Sequence, residues 1–283
     1  MQNIIDKAAV LIEALPYIRR FANKVIVIKY GGHAMTEDAL RESFSVDVVL
    51  LKYIGLRPVV VHGGGPQIGK MLSRVGKESD FVDGMRVTDD ETMEIVEMVL
   101  GGKVNQDIVS LIQRGGGRAL GLTGKDGGML RVKRKLVNGQ DVGRVGQIVN
   151  VDPSAIASAT DAGFIPVVAP LGVDDSGLTY NVNADDAAGA IACAIGAEKL
   201  MMLTDVTGVL DAKGELIQKL TPDEARARIE EGVIKGGMIP KVECCLSALD
   251  HGVERTHIVD GRMLHAVLLE IFTDVGVGTC LTL

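Results

Sequence analysis

The amino-acid sequence predicts an α/β fold built around a largely parallel sheet. Residues 25–28 (Val-Ile-Val-Ile) form an apolar, β-branched run typical of a strand buried on both faces, and a glycine turn and a helix-like segment follow it. Residues 57–61 begin a second unit of the same kind, which continues through a His-Gly-Gly-Gly-Pro turn at 62–66 into another helix-like segment. Successive strand–turn–helix units favour parallel strands joined by right-handed crossovers.

Length and composition set the scale of this fold. The chain has 283 residues, of which 47% are hydrophobic, enough for one large domain or two fused lobes with a sizeable core. The net charge of −7 and the low aromatic content, 3% with no tryptophan, argue against nucleic-acid and anionic-membrane binding. No apolar run is long enough to span a bilayer, and Asp6 and Glu13 interrupt the N-terminal apolar residues where a signal peptide would need them continuous.

The cysteines predict a reducing compartment. None of Cys193, Cys244, Cys245 and Cys280 has the Cys-x-x-Cys spacing of a zinc or redox site. Cys193 and Cys245 fall in apolar, helix-like settings that favour small core residues over ligands. The cytoplasm is therefore the expected location.

An amphipathic helix precedes the first strand. Between residues 3 and 20 apolar residues recur at helical spacing, charged residues such as Asp6 and Glu13 lie elsewhere on the wheel, and Pro16 predicts a break or kink. The apolar stripe must cover either the chain's own domain or another subunit. Residues 1–20 are therefore treated as a helical extension.

The elements after the first strand alternate between helices and strands. Thr36 is an N-cap candidate, followed by acidic residues in the first turn of a helix that is predicted to end near Gly55. The segments that follow are predicted to be a hairpin at 81–88 with an Asp-Gly turn, helices at 89–100 and 103–114, several antiparallel strands across 120–151, a helix at 153–162, a core strand at 165–169 and a hairpin return at 177–181. The second half repeats the α/β pattern, with a helix at 183–195, a strand at 199–203, helices at 222–232 and 238–251, and a strand at 256–259.

Glycine turns beside lysines indicate phosphate chemistry. Lys29 ends the first strand just before Gly31 and Gly32, and a second glycine pair at 236–237 precedes Lys241. A strand–turn–helix unit aims backbone N–H groups at an anion, and two lysines from different halves of the chain are suited to contact opposite sides of a transferring phosphoryl group. Alone, the first turn is equally compatible with an ordinary βα connection and a surface lysine. The P-loop, nucleophile-elbow, zinc-protease and protein-kinase motifs are absent from the sequence.

Five short motifs carry a resemblance to a known family. In chain order they are Lys29-Tyr30-Gly31-Gly32, His62-Gly63-Gly64-Gly65-Pro66, Gly84-Met85-Arg86-Val87-Thr88, Asn181-Val182-Asn183-Ala184-Asp185 and Gly237-Met238-Ile239-Pro240-Lys241. From about residue 24 to the C-terminus the chain resembles the amino acid kinase family, and within it the kinases that phosphorylate N-acetyl-L-glutamate in arginine biosynthesis. The resemblance implies a three-layer αβα sandwich with two lobes, residues 21–178 for the amino acid substrate and residues 179–283 for ATP.

The resemblance implies a catalytic set. Lys29 would stabilise the transferring phosphoryl group, Lys241 would do so from the ATP side, and Asp185 would hold both lysines in place. Helix capping is the alternative role for Asp185, and Asn183 is also a candidate for the cap.

The resemblance also implies binding residues. Arg86 would pair with the substrate α-carboxylate through its planar guanidinium, with a surface arginine at a hairpin edge as the alternative. Asn181 would hydrogen-bond the substrate, and Thr204 and Asp205 would line the ATP site. Four glycines would offer backbone N–H groups to phosphoryl and substrate carboxyl oxygens: Gly31, Gly32, Gly64 and Gly65.

ATP and Mg²⁺ are the implied cofactors, and no protein residue is assigned as a metal ligand. The acceptor would be a side-chain carboxylate with a pKa of about 4.3, which is already ionised at neutral pH and needs no general base. Repulsion between two anions is then the obstacle, and Lys29, Lys241 and Mg²⁺ would relieve it. His33 and His62 are accordingly predicted to be structural.

A regulatory site is implied as well. Within the family, kinases with an N-terminal helix resemble arginine-inhibited hexamers in which that helix interlaces dimers, which predicts a trimer of dimers here. Tyr17 on the helix, together with His265, Glu270 and Gly276 near the C-terminus, is similar to the family's arginine site. The alternative for the C-terminal stretch is a plain amphipathic helix with a solvated glutamate.

Competing functions stay open. A kinase for an aminoadipate derivative in lysine biosynthesis would share nearly every motif, and a catalytically silent arginine sensor would share the fold. Retention of both lysines and of Asp185 argues against the sensor. A nicotinamide-dependent enzyme is disfavoured because the Gly-x-Gly-x-x-Gly fingerprint is absent.

Overall fold

The main sheet is largely parallel, as predicted. The computed structural model describes the backbone of residues 2–273 and 276–283, and the side chains of residues 9–273 and 276–283. Within these residues eight strands lie side by side in the order β12 (Lys219–Leu220), β14 (Thr279–Thr282), β13 (Arg255–Asp260), β11 (Lys199–Thr204), β1 (Val25–Tyr30), β2 (Arg57–His62), β8 (Ile165–Ala169) and β5 (Ala119–Thr123). Every neighbouring pair among them is parallel except β13 with β14.

A small closed sheet and a hairpin stand beside the main sheet. The closed sheet contains β6 (Leu130–Val137), β7 (Gln140–Val151), β9 (Leu171–Val173) and β10 (Thr179–Val182), and the hairpin contains β3 (Phe81–Val82) and β4 (Met85–Arg86). The predicted Asp-Gly turn joins β3 to β4, and β6 and β7 are antiparallel as expected. The prediction of antiparallel strands across 120–151 is wrong for β5, which pairs in parallel with β8 at the edge of the main sheet.

Helices cover both faces of the main sheet. They are α1 (Gln2–Phe21), α2 (Asp38–Tyr53), α3 (Gly65–Arg74), α4 (Asp90–Glu97), α5 (Asn105–Arg114), α6 (Ser154–Asp161), α7 (Ala184–Ala194), α8 (Pro222–Glu230), α9 (Ile239–Asp250) and α10 (Ala266–Phe272). Alternate residues of β1 point to opposite faces. Ile26 and Ile28 pack in the core that includes Phe44 of α2, whereas Val27 packs in the core that includes Ala188 of α7. The two cores confirm the three-layer αβα architecture.

The chain between residues 90 and 114 is helical throughout. The sequence predicts two helices with a break at the glycines 101 and 102, but a π-helical segment, Met98–Val104, connects α4 to α5 without interruption. Gly101 is held closely there, because a Cβ placed on it would lie 3.3 Å from Cγ2 of Thr123. Tertiary packing has overridden the weak helix propensity of glycine.

Two local features of the helices differ from the predictions. Of the break or kink predicted at Pro16, the break does not occur, because helix α1 continues through this residue. Thr36 does not cap α2, since its hydroxyl donates to the carbonyl oxygen of His33 in a preceding 3₁₀ turn (Gly32–Met35), and the helix starts at Asp38 after Glu37. Helix ends depend on such local hydrogen bonds, which a sequence pattern does not specify.

Helix α1 leaves apolar side chains in solvent. Val10, Leu11 and Ile12 are 63%, 72% and 69% exposed, whereas Tyr17 packs edge-on against the ring of Phe272 in α10, with 6.2 Å between ring centroids. The side chains of residues 4, 5 and 8, part of the predicted apolar stripe, lie outside the described residues. In the part of the chain that the structure describes, no helix combines the length and apolarity needed to cross a membrane.

Candidate active site

The predicted catalytic residues meet at the C-terminal edge of the parallel strands. Lys29 lies next to the end of β1, between Val61 of β2 and Met202 of β11. Ligands of open α/β sheets bind at this edge, because the connecting loops and helix N-termini converge there. Helices α7 and α9 both begin at the same place, and each contributes one polar side chain.

Asp185 joins two lysines that are remote from each other in the sequence. Its Oδ1 lies 2.9 Å from Nζ of Lys29, and its Oδ2 lies 2.7 Å from Nζ of Lys241. Lys29 comes from β1, Asp185 from the first turn of α7 and Lys241 from the first turn of α9. The side chain of Asp185 is only 16% exposed, so solvent screens the two ion pairs weakly. The structure therefore brings the predicted catalytic set to one point.

The helix cap at this position belongs to Asn183. Its side-chain oxygen accepts hydrogen bonds from the backbone N–H groups of Asp185, at 2.8 Å, and Asp186, at 3.2 Å. This arrangement satisfies donors at the start of α7 without using the carboxylate of Asp185. Asp185 is consequently available to the lysines.

The charge balance at Asp185 favours the ionised carboxylate. Burial by itself would raise the pKa of this carboxyl, but the positive charges of Lys29 and Lys241 and the hydrogen bonds they donate bring the pKa below its ordinary value. Two ammonium groups then surround one carboxylate, which leaves one net positive charge. The cluster is suited to hold a further anion.

The glycine turn after β1 is closed by the acid that directly follows β11. A Cβ on Gly31 would lie 2.8 Å from Nζ of Lys29, so the lysine side chain folds back over the turn. Gly32 has φ +67°, and a Cβ there would lie 2.3 Å from Oδ1 of Asp205, so only glycine fits. Asp205 accepts from the backbone N–H of His33 at 2.7 Å and lies 3.1 Å from its Nδ1.

Thr204 and Asp205 take different positions at this turn. Thr204 is the last residue of β11 and is buried, and its carbonyl oxygen accepts from the backbone N–H of Gly261 at 2.8 Å. Asp205 follows it with 40% of its side chain exposed. Both lie beside the glycine turn, on the side of β1 opposite to β2.

A pocket of about 170 Å³ adjoins the lysine cluster. One end reaches Gly63, where a Cβ would lie 4.0 Å from Cα of Gly31 and from Cβ of Ala184, the residue before Asp185. The other end reaches Arg86. The pocket therefore extends from Ala184, the chain neighbour of Asp185, to the guanidinium of Arg86.

Arg86 is a buried cation held by neutral groups. It is 7% exposed, its Nη1 donates to the hydroxyl of Ser79, its Nη2 donates to the carbonyl oxygen of Gly65 at 3.0 Å, and its guanidinium carbon lies 4.6 Å from the ring centroid of Phe81. Burial lowers its pKa from the ordinary value. Among the described residues no carboxylate forms an ion pair with it. A buried cation without a counter-charge favours an anionic guest.

The remaining predicted substrate residues line the same pocket. Gly64 and Gly65 stand at the start of α3, where backbone N–H groups lack helical partners. Asn181 in β10 donates to the hydroxyl of Thr88 at 3.4 Å, and that hydroxyl donates to the carbonyl oxygen of Arg86 at 2.8 Å. Thr88 thus links two predicted substrate residues, a bridge that the sequence analysis missed.

His62 contacts the glycine turn that follows β2, at residues 63–65. It is fully buried, and burial lowers its pKa to about 4, so the ring is neutral. Its Nδ1 lies 2.8 Å from the carbonyl oxygen of Gly63, which identifies Nδ1 as the protonated nitrogen, and its Nε2 lies 3.2 Å from the side-chain nitrogen of Asn105. A neutral ring with both nitrogens occupied is not placed to exchange protons with a substrate.

The four residues predicted for an arginine site do not all meet. Glu270 in α10 is buried, and a Cβ on Gly276 would lie 2.7 Å from its Oε2. Tyr17 packs on the same helix through Phe272. His265, at the start of α10, instead pairs with Asp47 of α2 at 2.7 Å, and burial raises the pKa of Asp47 to about 6.

A different histidine accompanies Glu270. His257 of β13 places its Nδ1 2.6 Å from Oε1 of Glu270 and its Nε2 3.0 Å from Nζ of Lys199 in β11. All three side chains are buried, and burial lowers the pKa of Lys199 to about 8. The sequence analysis missed this chain of polar groups. A lysine and a histidine within otherwise apolar strands were the available signal.

The site contains no ready-made metal cage. In the part of the chain that the structure describes, no three histidine, cysteine, aspartate or glutamate side chains cluster closely enough to hold a metal ion. Mg²⁺ commonly binds through substrate phosphates and water with one or two carboxylates. A Mg²⁺ ion that arrives with a nucleotide would need few ligands from this site.

Known proteins share both the sequence and the fold. The sequence pattern of the amino acid kinase family matches residues 24–260. The acetylglutamate kinase of Syntrophus aciditrophicus is 57% identical, across 98% of this chain and 97% of its own length. The chain belongs to the amino acid kinase family. As a kinase of this family it is a phosphotransferase that uses ATP.

Solved structures resemble the fold of this amino acid kinase. N-acetylglutamate synthase from Neisseria gonorrhoeae, complexed with coenzyme A and N-acetyl-glutamate, superimposes with a TM-score of 0.87 at 27% identity over 98% of the chain. The same enzyme complexed with coenzyme A and L-arginine gives a TM-score of 0.82 at 25% identity over 97% of the chain. The chain spans 63% and 65% of these longer proteins.

Proposed function

We propose that this protein transfers the γ-phosphoryl group of ATP to the side-chain carboxylate of N-acetyl-L-glutamate, forming N-acetyl-L-glutamyl 5-phosphate and ADP in arginine biosynthesis. The observation that carries the proposal is the pocket between Arg86 and the Lys29–Asp185–Lys241 cluster. It offers the Arg86 cation for an α-carboxylate at one end, and its other end reaches Ala184, the residue before the Asp185 that holds the two ammonium groups. Relatives named acetylglutamate kinase, 57% identical in one case, support the choice of substrate.

The reaction requires charge neutralisation and positioning. An oxygen of the ionised side-chain carboxylate attacks the γ-phosphorus, a new P–O bond forms, and the bond to the β–γ bridging oxygen breaks, so that ADP leaves with that electron pair. No proton is transferred, and no general base is needed. Lys29 and Lys241 neutralise charge on the transferring group, and Asp185 fixes both ammonium groups before the substrates arrive. Mg²⁺, when bound with ATP, would neutralise and orient the phosphates.

Substrate binding is assigned to the pocket walls. Arg86 would hold the α-carboxylate with its planar fork, and Asn181 would hydrogen-bond the substrate. The N–H groups of Gly64 and Gly65 would face the carboxylate of the side chain, since they stand at the start of α3. The lobe of residues 21–178 would thereby recognise the amino acid.

Nucleotide binding is assigned to the opposite side of β1. Gly31 and Gly32 would offer N–H groups to the phosphates, while Thr204 and Asp205 would line the ATP site at the end of β11. Lys241 would approach the phosphates from α9. The lobe of residues 179–283 would thereby bind ATP.

The free cysteines support a reducing, cytoplasmic setting.

Feedback inhibition by arginine is the regulatory part of the proposal. The contact between Tyr17 of α1 and Phe272 of α10 places the N-terminal helix next to Glu270, a buried carboxylate suited to a guanidinium. Gly276 adjoins Glu270 in the proposed site, and His265, which pairs with Asp47 in this structure, is the fourth residue assigned to it. The solved complex of N-acetylglutamate synthase with L-arginine, a protein of the same fold, supports this assignment. Inhibition requires that arginine bind two global states with different affinity.

A hexamer, arranged as a trimer of dimers, is the proposed assembly. Three successive apolar side chains of α1, Val10, Leu11 and Ile12, are more than 60% exposed, and Leu15 adds to this surface. Apolar surface of this kind on a helix outside the main sheet is typical of an interface. The α1 helices of two subunits would cover one another.

The test is ADP release from Mg·ATP with N-acetyl-L-glutamate, measured with and without L-arginine. Turnover that arginine suppresses would support both the active site and the regulatory site. Turnover that arginine does not change would support the kinase activity and contradict the proposed regulatory site. No turnover would contradict the proposed function and would favour the aminoadipate derivative as substrate, or a silent sensor if arginine still binds.

A further inference from the structure

Leu100 forms an apolar wall of the substrate pocket. It is 2% exposed, yet it lines the same pocket as Arg86 and Asn181. Its side chain contacts the glycine turn at residues 63–65, because a Cβ placed on Gly64 would lie 2.5 Å from Cδ2 of Leu100. Neither the catalytic set nor the predicted substrate residues include it.

The glycine turn at residues 63–65 lines the pocket between its two ends. Gly63 adjoins Gly31 at the lysine end, and the carbonyl oxygen of Gly65 accepts from Arg86 at the guanidinium end. Gly64 lies between them, and Leu100 contacts Gly64. In the binding mode proposed above, Leu100 would therefore lie beside the methylene groups of a substrate whose α-carboxylate is held by Arg86.

The π-helical segment Met98–Val104 fixes the position of Leu100. The next residue, Gly101, lies close to the sheet, since a Cβ placed on it would lie 3.3 Å from Thr123 and 3.7 Å from Leu171. Val104 in the same segment also lies near Gly64, with 3.6 Å from its Cγ2 to a Cβ placed there. π-helical turns occur frequently at functional sites because they redirect side chains. Leu100 is thus part of a buried, closely packed wall of the pocket.

We propose that Leu100 determines how many methylene groups fit between Arg86 and Lys29, and so selects an acylated glutamate over its homologue with one more methylene. The inference rests on the proposed function and names the residue that gives it chain-length specificity. A closely packed apolar wall excludes a longer chain because the extra group must compress the packing or displace a carboxylate from its cation. Discrimination of one methylene by an apolar pocket amounts to about 10- to 200-fold in kcat/KM.

The experiment compares kcat/KM for N-acetyl-L-glutamate and N-acetyl-L-2-aminoadipate in four proteins. They are the wild type, Leu100→Ala, the milder Leu100→Val, and the control Met98→Ala, which truncates a 62% exposed side chain of the same segment. We expect the glutamate-to-aminoadipate ratio to fall about tenfold or more in Leu100→Ala and about fourfold in Leu100→Val, and to stay within about twofold in Met98→Ala.

Each outcome has a separate meaning. If Leu100→Ala does not fold, Leu100→Val decides, with the melting temperature as the check on folding. A folded and active Leu100→Val protein whose glutamate-to-aminoadipate ratio equals that of the wild type overturns the role of Leu100 and leaves the proposed function intact. A wild-type protein that uses both substrates equally well has the same meaning. A wild-type protein that phosphorylates neither compound overturns the proposed function and this inference with it.

Discussion

Lys241 donates a hydrogen bond of 2.7 Å to Oδ2 of Asp185, which precedes it by 56 residues in the sequence. Because the other oxygen of the same carboxylate lies 2.9 Å from Lys29, one acid fixes the ammonium groups of two lysines. Their positions are set before any substrate binds, which removes the cost of arranging them during the reaction.

Replacement of Asp185 by asparagine tests this arrangement. Asp185→Asn keeps the size of the side chain but removes the charge, so the two ammonium groups repel each other and lose their fixed positions. We expect kcat to fall roughly 100-fold or more, with a smaller change in KM for N-acetyl-L-glutamate. Steady-state kinetics provide the measurement, and Asp186→Asn, which affects only a surface pair with Lys135, is the control. A kcat within threefold of wild type would refute the orienting role of Asp185.

Truncation of Lys29 separates turnover from affinity. We expect Lys29→Ala to lower kcat at least 100-fold while KM for the amino acid changes little, because the ammonium group acts on charge that develops in the transition state. The matched control is Lys24→Ala, which removes a half-exposed lysine paired with Glu198 at the other end of β1. Equal losses in kcat and in affinity would show that Lys29 only binds substrate.

The guanidinium of Arg86 is predicted to bind the α-carboxylate. Arg86→Lys keeps a positive charge but loses the planar fork and the contact with Phe81. We expect KM for N-acetyl-L-glutamate to rise about tenfold or more while KM for ATP stays within about twofold. Arg134→Lys, a half-exposed arginine of β6 paired with Asp141, is the control. A rise in KM for ATP instead would place Arg86 in the nucleotide site.

The buried ring of His62 predicts a pH dependence of stability. Its pKa is about 4 in the folded protein and about 6.5 when unfolded, so below pH 6.5 the unfolded chain binds a proton that the folded chain does not. The contribution of His62 to stability is therefore complete above pH 6.5 and is lost as the pH falls toward 4. In denaturant titrations, the stability advantage of wild type over His62→Gln is expected to shrink by about 2 kcal/mol between pH 7.5 and pH 5. A constant difference would show that His62 has the same pKa in the folded and the unfolded protein.

The exposed stripe of α1 predicts the assembly. Leu11 is 72% exposed in the single chain, so a charge at this position should block a helix–helix interface without harming the fold. We expect Leu11→Glu to lower the molar mass measured by light scattering from that of a hexamer to that of a dimer while ADP release persists. Glu13→Gln on the same helix is the control. A hexameric Leu11→Glu protein would show that α1 does not form the interface.

Much of the fold follows from local sequence pattern. The strand at Val25–Tyr30 is a β-branched run, and the Asp-Gly turn before Met85 specifies a hairpin, so both are confirmed. The break expected near Gly101 is wrong because packing against Thr123 keeps the chain helical, and packing partners distant in sequence leave no local signal. The same limit applies to Pro16, through which α1 continues.

The sequence motifs name candidate site residues but do not specify the contacts among them. The motifs name Lys29, Asp185 and Lys241, but only the fold shows that Asn183 takes the helix cap and leaves Asp185 to the lysines. The histidine that contacts Glu270 is His257 of β13, although His265 is nearer to Glu270 in the sequence. Sequence spacing does not report which side chains converge from separate elements.

The most direct test of the central claim is the chemical nature of the product. A carboxylate that accepts a phosphoryl group becomes an acyl phosphate, which hydroxylamine converts to a stable hydroxamate. With Mg·ATP, N-acetyl-L-glutamate and hydroxylamine, we expect one hydroxamate for each ADP released by the wild type, and little of either from Asp185→Asn. Release of ADP without any hydroxamate would contradict phosphorylation of a carboxylate at this site.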